Sequence, residues 1–173
     1  MKKVIGIAGW SGSGKTTLVE NLIKIFKKKY NFKISVLKHA HKNFSLDKKG
    51  KDSYRFSSSG ADQVLISSTK QWAIVNKIKE NELRLSYLLK FCKEADIVLV
   101  EGWKHSNLKK IEIYRTELNK SFLYTDDKNI IALASDNTSI ITNRKIKLLD
   151  INNHLSIAEF IINNDFGNLN DKV

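Results

Sequence analysis

Val4-Ile5-Gly6-Ile7-Ala8, followed by Gly9-Trp10-Ser11-Gly12-Ser13-Gly14-Lys15-Thr16 and then by Thr16–Tyr30, is the stretch that decides the fold. Its first five residues are apolar or glycine, a short continuous run of the kind that forms a strand buried on both faces. The next eight fit the pattern G-x-x-x-x-G-K-[ST]. In Thr16–Tyr30, Leu18, Leu22, Ile25 and Phe26 recur at offsets 0, 4, 7 and 8, which draws one apolar stripe along a helix. A strand, a glycine-rich loop and a helix in that order make a phosphate cradle. The glycines let backbone N–H groups turn inward around phosphate oxygens, and the helix start adds its positive dipole end. Lys15 is placed to bridge the β- and γ-phosphates, and the Thr16 hydroxyl to ligate Mg²⁺. Gly9, Trp10, Ser11, Gly12, Ser13, Gly14, Lys15, Thr16 and Thr17 are therefore assigned to a nucleoside triphosphate. Chance would produce the pattern in on the order of 1% of chains of this composition and length, before its context is counted.

The 173 residues amount to about one domain. Thirty Lys plus Arg against eighteen Asp plus Glu leave a net charge of +12. A hydrophobic content of 42% is too high for a disordered polar chain. Cys92 stands alone, which excludes an intrachain disulfide and a cysteine-based metal cluster. The longest apolar run, Val4–Trp10 with glycine counted, is far short of the ~20 residues a membrane span needs. Lys2-Lys3 imitates the charged start of a signal peptide, but the apolar stretch behind it is too short. The expectation is a single cytoplasmic domain over residues 1–162 with no membrane association, followed by a fraying tail over 163–173. The charge invites a nucleic-acid reading. Specific readers lean on Arg for bidentate base contacts, however, and this chain has only Arg55, Arg84, Arg115 and Arg144. Its most basic patch, Lys24 with Lys27, Lys28 and Lys29, crowds a helix C-terminus, where cations favour the dipole. No nucleic-acid partner is expected.

Further strands are expected at Lys33–Lys38, Asp96–Val100, Ile111–Tyr114 and Ile130–Ala134, the last clear one. Gln63–Ser67 and Trp72–Val75 read as an antiparallel pair across a tight polar turn. Asp52 is placed to cap a short helix towards Gly60. Asn81–Lys93 reads as an amphipathic helix with Leu83, Tyr87, Leu88, Phe91 and Cys92 on one side. Ser156-Ile157-Ala158-Glu159 is a capping box that opens a helix with Ile157, Phe160 and Ile161 inward. Strands alternating with helices predict an α/β fold, P-loop NTPase-like. It has a mostly parallel sheet covered by helices on both faces and an additional antiparallel strand pair.

A phosphate loop needs an acidic partner to organise the metal's water shell. Glu101 follows Ile97-Val98-Leu99-Val100 at a strand's C-terminal edge, where sheets of this kind bind ligands. The bland alternative for Glu101 is pairing with a nearby lysine. Asp47 and Asp52 are further metal or water-positioning candidates, with helix capping as the alternative for Asp52. In His39-Ala40-His41, strand alternation puts both imidazoles on one side. Without a third His or Cys at ligand spacing, contact with substrate or phosphate is preferred to metal binding, and a hydrogen-bonded loop pair is the plain alternative. Lys104, just beyond Glu101, suits an anion. Trp10 is large for such a loop, fit for stacking on a ligand, for an interface or for packing. The guanine motif N-K-x-D is absent, and Asp136 at the end of Ile130–Ala134 is the best-placed guanine contact.

Ala8–Thr17 (AGWSGSGKTT), Lys38–Asp47 (KHAHKNFSLD), Gly50–Arg55 (GKDSYR), Gly60-Ala61, Val98–His105 (VLVEGWKH), Lys110–Arg115 (KIEIYR) and Ala132–Asp136 (ALASD) together resemble the MobB family of molybdopterin-guanine dinucleotide biosynthesis adaptor proteins. The resemblance runs to about Phe160. It implies a cytoplasmic homodimer that binds GTP with Mg²⁺ and hydrolyses it weakly. Such a protein would assist the guanylyltransferase that joins GMP to molybdopterin. By position it implies Gly9–Thr17 as the phosphate loop, Lys15, Glu101 and Asp47 as the groups around the chemistry, and Thr16 with Glu101 at the metal. His39, His41, Lys51, Asp52, Ser53, Arg55 and Lys104 would line the neighbouring surface. Lys42 stands where family members often carry a further His, which weighs against a metal at the histidines. No arginine finger stands out, with Arg55 and Arg115 as the available residues, so hydrolysis should be slow. The alternative activity is a P-loop small-molecule kinase, but four scattered arginines do not make the lid such enzymes need.

Overall fold

The computed structural model describes residues 3–40, 47–78 and 82–166. β1 (Lys3–Ala8) leads through the glycine-rich loop into α1 (Lys15–Tyr30), and β2 (Ile34–Lys38) follows. Next come α2 (Asp52–Ser58), β3 (Gln63–Ser67), β4 (Trp72–Asn76) and α3 (Leu85–Leu89). β5 (Ile97–Glu101), β6 (Lys110–Tyr114), β7 (Ile130–Ser135), β8 (Lys147–Asp150) and α4 (His154–Asn163) complete the order. Two compact units result, one of Met1–His39 with Leu85–Val173, the other of Ala40–Arg84.

The first unit is built on a six-stranded sheet in the order β2-β5-β1-β6-β7-β8, with every neighbouring pair parallel. Alternation sorts its side chains between two layers. Ile5 and Ile7 of β1, Ile97 and Leu99 of β5 and Ile111 and Ile113 of β6 face the layer of α1 and α4, packing on Leu18, Leu22, Phe26, Ile157 and Ile161. Val4, Val98 and Val100 point the other way, onto Leu89, Cys92 and Leu108. Helices thus cover both faces, which is why β5 is buried along its whole length. Burial pushes the Cys92 thiol above its ordinary pKa.

Charges are buried on the face of β6 turned away from α1 and α4. Lys110 is almost fully enclosed, its ammonium 2.9 Å from Asp127 and donating to the carbonyls of Ser106 and Leu108. Its stem lies over Gly6, where an added Cβ would come within 2.5 Å of Lys110 Cγ. Glu112 is fully buried and accepts the N–H groups of Leu123 and Tyr124, each at 2.8 Å. Burial raises its pKa, and those two amides together with Arg144 oppose the rise.

The second unit pairs β3 with β4 in antiparallel register, Val64 opposite Val75 and Leu65 opposite Ile74. It leaves Leu65, Ile66, Trp72 and Ile74 exposed.

Several expectations are corrected at their ends. Asp52 is not the cap of α2: Lys51 holds that place, and Asp52 sits in the first turn with its carboxylate 3.5 Å from Arg55. The helix expected over Asn81–Lys93 is one short turn, α3, tightening into a 3₁₀ turn at Lys90–Cys92, and Asn81 lies outside the described residues. Leu89 and Cys92 face inward, whereas Tyr87 and Phe91 are exposed and meet edge to face at 5.5 Å. The cap of α4 is Asn153, whose side chain accepts the Ser156 N–H at 3.0 Å, so the expected capping box falls inside the first turn. β8 continues the sheet beyond Ile130–Ala134. The tail does not fray from Asn163, which still belongs to α4, and Phe166 is fully buried against Phe160; residues 167–173 lie outside the described set. Phe26, enclosed by the α1 layer and ringed by Tyr30 and Phe32, is the test of this core. Phe26→Ala should cost about 3–5 kcal/mol in urea unfolding, and a loss under ~1 kcal/mol would deny that it is fully packed.

Candidate functional site

Parallel pairing brings the strand C-termini to one edge of the sheet, and the register decides which residues meet there. Ile7 of β1 lies opposite Glu101 of β5, and Lys38 of β2 lies opposite Glu101 on its other side. The loop after β1 begins at Gly9 with φ 148°, where a Cβ would strike the Ile113 carbonyl at 2.5 Å and Ser13 Oγ at 2.6 Å. The loop closes on itself as the Ser13 N–H donates to the Trp10 carbonyl at 3.2 Å. Its last glycine, Gly14, takes the left-handed conformation that lets α1 begin at Lys15. No acidic side chain occupies the first turn of α1, so its free N–H groups are left to an anion.

Lys15 folds back so that its ammonium donates to the Trp10 carbonyl at 2.7 Å. Partial burial pulls its pKa below the ordinary lysine value; Glu101 opposes the shift and Lys38 adds to it. Glu101 is nearly buried, and its Oε1 accepts the Thr16 hydroxyl at 3.5 Å and lies 3.6 Å from Lys38 Nζ. Glu101 thus lies beside both the loop threonine and a strand-end lysine. An exposed hydroxyl beside a carboxylate at a helix start is an all-oxygen donor set that suits Mg²⁺, which takes one or two protein oxygens and completes its shell with phosphates and water. Among the described residues no group of three His, Cys, Asp or Glu side chains could hold a metal.

Around this centre the loop is flanked by aromatic and charged groups. Trp10 donates its indole N–H to the Ser121 carbonyl at 2.8 Å, and the ammoniums of Lys104 and Lys120 lie 5.7 and 5.9 Å from its ring centroid. His39, whose N–H donates to the Glu101 carbonyl at 2.8 Å, stacks on Trp103 at 5.1 Å. His41 lies outside the described residues. Asp136 accepts the Thr116 N–H at 3.1 Å and the Thr116 and Ser135 hydroxyls at 3.3 Å each. Its other oxygen is 3.9 Å from Arg115, whose Nε lies 3.7 Å from where a Gly14 Cβ would be. Burial works against the Asp136 charge, but the Thr116 and Ser135 bonds outweigh it and hold the pKa below the ordinary carboxylate value.

Asp47, Lys51, Asp52 and Arg55 belong to the second unit. There Asp47 accepts the Ser53 hydroxyl at 2.9 Å and the Lys48 N–H at 3.0 Å, which fixes the entry to α2. The sequence reading assigned no role to Lys38 and placed Arg115 only as an arginine finger. The signal for Lys38 was its place at the C-terminal end of a strand in this sheet.

A family model described as molybdopterin guanine dinucleotide synthesis protein B matches residues 4–136. The chain is 40% identical over 162 residues to a molybdopterin-guanine dinucleotide biosynthesis adapter protein of Haemophilus influenzae, covering 92% of this chain and 88% of that one. It is 34% identical over 166 residues to the corresponding protein of Escherichia coli, with 94% and 93% covered. Among solved structures, a crystal structure of molybdopterin-guanine biosynthesis protein B superposes with a TM-score of 0.69 at 25% identity, over 92% of this chain and 96% of that one. The Bacillus subtilis MobB structure has the same fold, with a TM-score of 0.68 at 22% identity and the same coverage. The chain belongs to the MobB family.

Because the Asp136 pKa is lower folded than unfolded, its contribution to stability is full above the ordinary carboxylate value of about 3.9 and is lost as the pH falls through the depressed folded value. Asp136→Asn should lower the urea midpoint at pH 7, with the gap to the unaltered protein closing as the pH is taken to 3 and below. A gap of constant size would show that the charge contributes nothing.

Proposed function

We propose that this chain is an adapter protein of molybdopterin guanine dinucleotide biosynthesis that works by binding GTP with Mg²⁺ at the loop Gly9–Thr17. The observation that carries the reading is the convergence of Lys15, Thr16 and Glu101 at the mouth of the loop, with the Thr16 hydroxyl 3.5 Å from the Glu101 carboxylate. The loop amides and the start of α1 take the phosphate oxygens, and Lys15 leaves the Trp10 carbonyl to bridge the β- and γ-phosphates. Thr16 and Glu101 would hold the metal, which would neutralise charge on the phosphates. Asp136 reads the guanine edge with the oxygen that faces Arg115. His39, His41, Lys104, Asp47, Lys51, Asp52 and Arg55 are further residues that the family resemblance implies for ligand binding. Hydrolysis at this site is slow, and binding rather than turnover is its task.

The adapter role implies that the chain meets the guanylyltransferase and molybdopterin in the cytoplasm. Among the described residues no helix is long and apolar enough to cross a membrane. A homodimer is part of the proposal, supported by the exposed Leu65, Ile66, Trp72 and Ile74 on a two-stranded sheet with open edges.

Calorimetric titration with Mg²⁺ tests the nucleotide directly. GTP should bind more tightly than ATP, and Lys15→Ala should abolish binding of both. Equal affinities would remove the guanine assignment, and full affinity in Lys15→Ala would remove the loop as the site.

A further inference from the structure

Among the described residues, Lys38 is the lysine that the sheet register places against the carboxylate proposed to hold the metal. It ends β2 directly opposite Glu101, and the ladder continues past it through the His39 N–H to the Glu101 carbonyl, so its backbone is fixed. Its ammonium and the Thr16 hydroxyl converge on the same oxygen, Glu101 Oε1, at 3.6 and 3.5 Å. The side chain remains 56% exposed, which leaves its four-carbon stem room to turn towards a ligand.

Two lysines therefore approach the site from opposite sides. In the strand order β2-β5-β1, Lys15 comes from the β1 side and Lys38 from the β2 side, with Glu101 between them. The helix start at Lys15–Thr17 lies on the β1 side, where its amides are left to the phosphates. A triphosphate laid from there would bring its last phosphate towards the β5 edge, beside the metal that Thr16 and Glu101 would hold. The Lys38 ammonium, beyond Glu101, would then be nearest to that phosphate.

We infer that Lys38 is a specificity-determining residue that contacts the terminal phosphate and makes the site prefer a triphosphate over a diphosphate. The inference rests on the proposed nucleotide reading and assigns Lys38 a part in it. Glu101 pairs with Lys38 at 3.6 Å here; with Mg²⁺ on that carboxylate, Lys38 would turn to the γ-phosphate and keep an anionic partner. It supplies from within the chain a positive group that other phosphate-loop proteins bring in as arginine. Unlike an arginine it is a compact charge that makes no bidentate fork.

The test compares GTP and GDP binding, with Mg²⁺, in the unaltered protein, Lys38→Ala and Lys38→Arg, read by calorimetry or by fluorescence of labelled nucleotide. Lys38→Ala should weaken GTP about tenfold, about 1.4 kcal/mol, while GDP changes by less than about threefold. Lys38→Arg, which keeps the charge, should restore most of the GTP preference. Equal losses for GTP and GDP, or no loss for either, would overturn the inference, and so would a Lys38→Arg protein that behaves like Lys38→Ala. If the unaltered protein binds neither nucleotide, the reading of the site fails and the inference fails with it. A Lys15→Ala protein that binds neither while the unaltered protein binds GTP keeps the two failures apart.

Discussion

The parallel register of three strands is the constraint on which the site depends. A parallel sheet sends every C-terminus to the same edge, but only the alignment of β2, β5 and β1 puts Lys38, Glu101 and Ile7 at one level. One residue of slip in β5 would turn Glu101 to the opposite layer and bring Val100 to the loop, because successive side chains point to opposite faces. The register is held by burial. Ile97 and Leu99 must enter the layer of α1 and α4, while Val98 and Val100 must enter the layer of Leu89 and Cys92. A nearly buried carboxylate at the end of such a strand is positioned by the apolar residues before it.

The loop depends on its surroundings in the same way. Gly9 presses on the Ile113 carbonyl, Gly14 lies under Arg115, and Arg115 is paired with Asp136 at the end of β7. The loop backbone is thus braced by the strands on the side away from Glu101. Asp136 joins Thr116, Ser135 and Arg115 by its carboxylate, so the edge proposed to read the base is tied through one arginine to the loop proposed to hold the phosphates.

What the sequence disclosed followed the range of the interactions involved. Gly9–Thr16 and Ile97–Glu101 were legible because a loop between a strand and a helix, and an apolar run ending in a carboxylate, are local patterns. Lys38 and Arg115 were harder to place, because a lysine or arginine at a strand end acquires meaning only from strands distant in sequence. β8 escaped notice because Lys147 and Asp150 flank only two apolar residues, too few to show alternation. The helix expected over Asn81–Lys93 was overdrawn because its stripe counted Tyr87 and Phe91, which satisfy each other at the surface instead of entering the core. The short α3 shows packing on Val98 and Val100 prevailing over periodicity, since Leu89 and Cys92 are the residues that reach them.

Gly6 and Lys110 share one volume: the lysine stem fills the space a side chain at position 6 would need, and its ammonium ends on Asp127. Neither residue can change alone without a cost. A larger residue at position 6 evicts the lysine and strands Asp127, whereas a short residue at position 110 leaves a void above a bare glycine. The two positions are therefore coupled: the glycine stays bare because the lysine stem crosses it, and the lysine stays enclosed because nothing at position 6 displaces it.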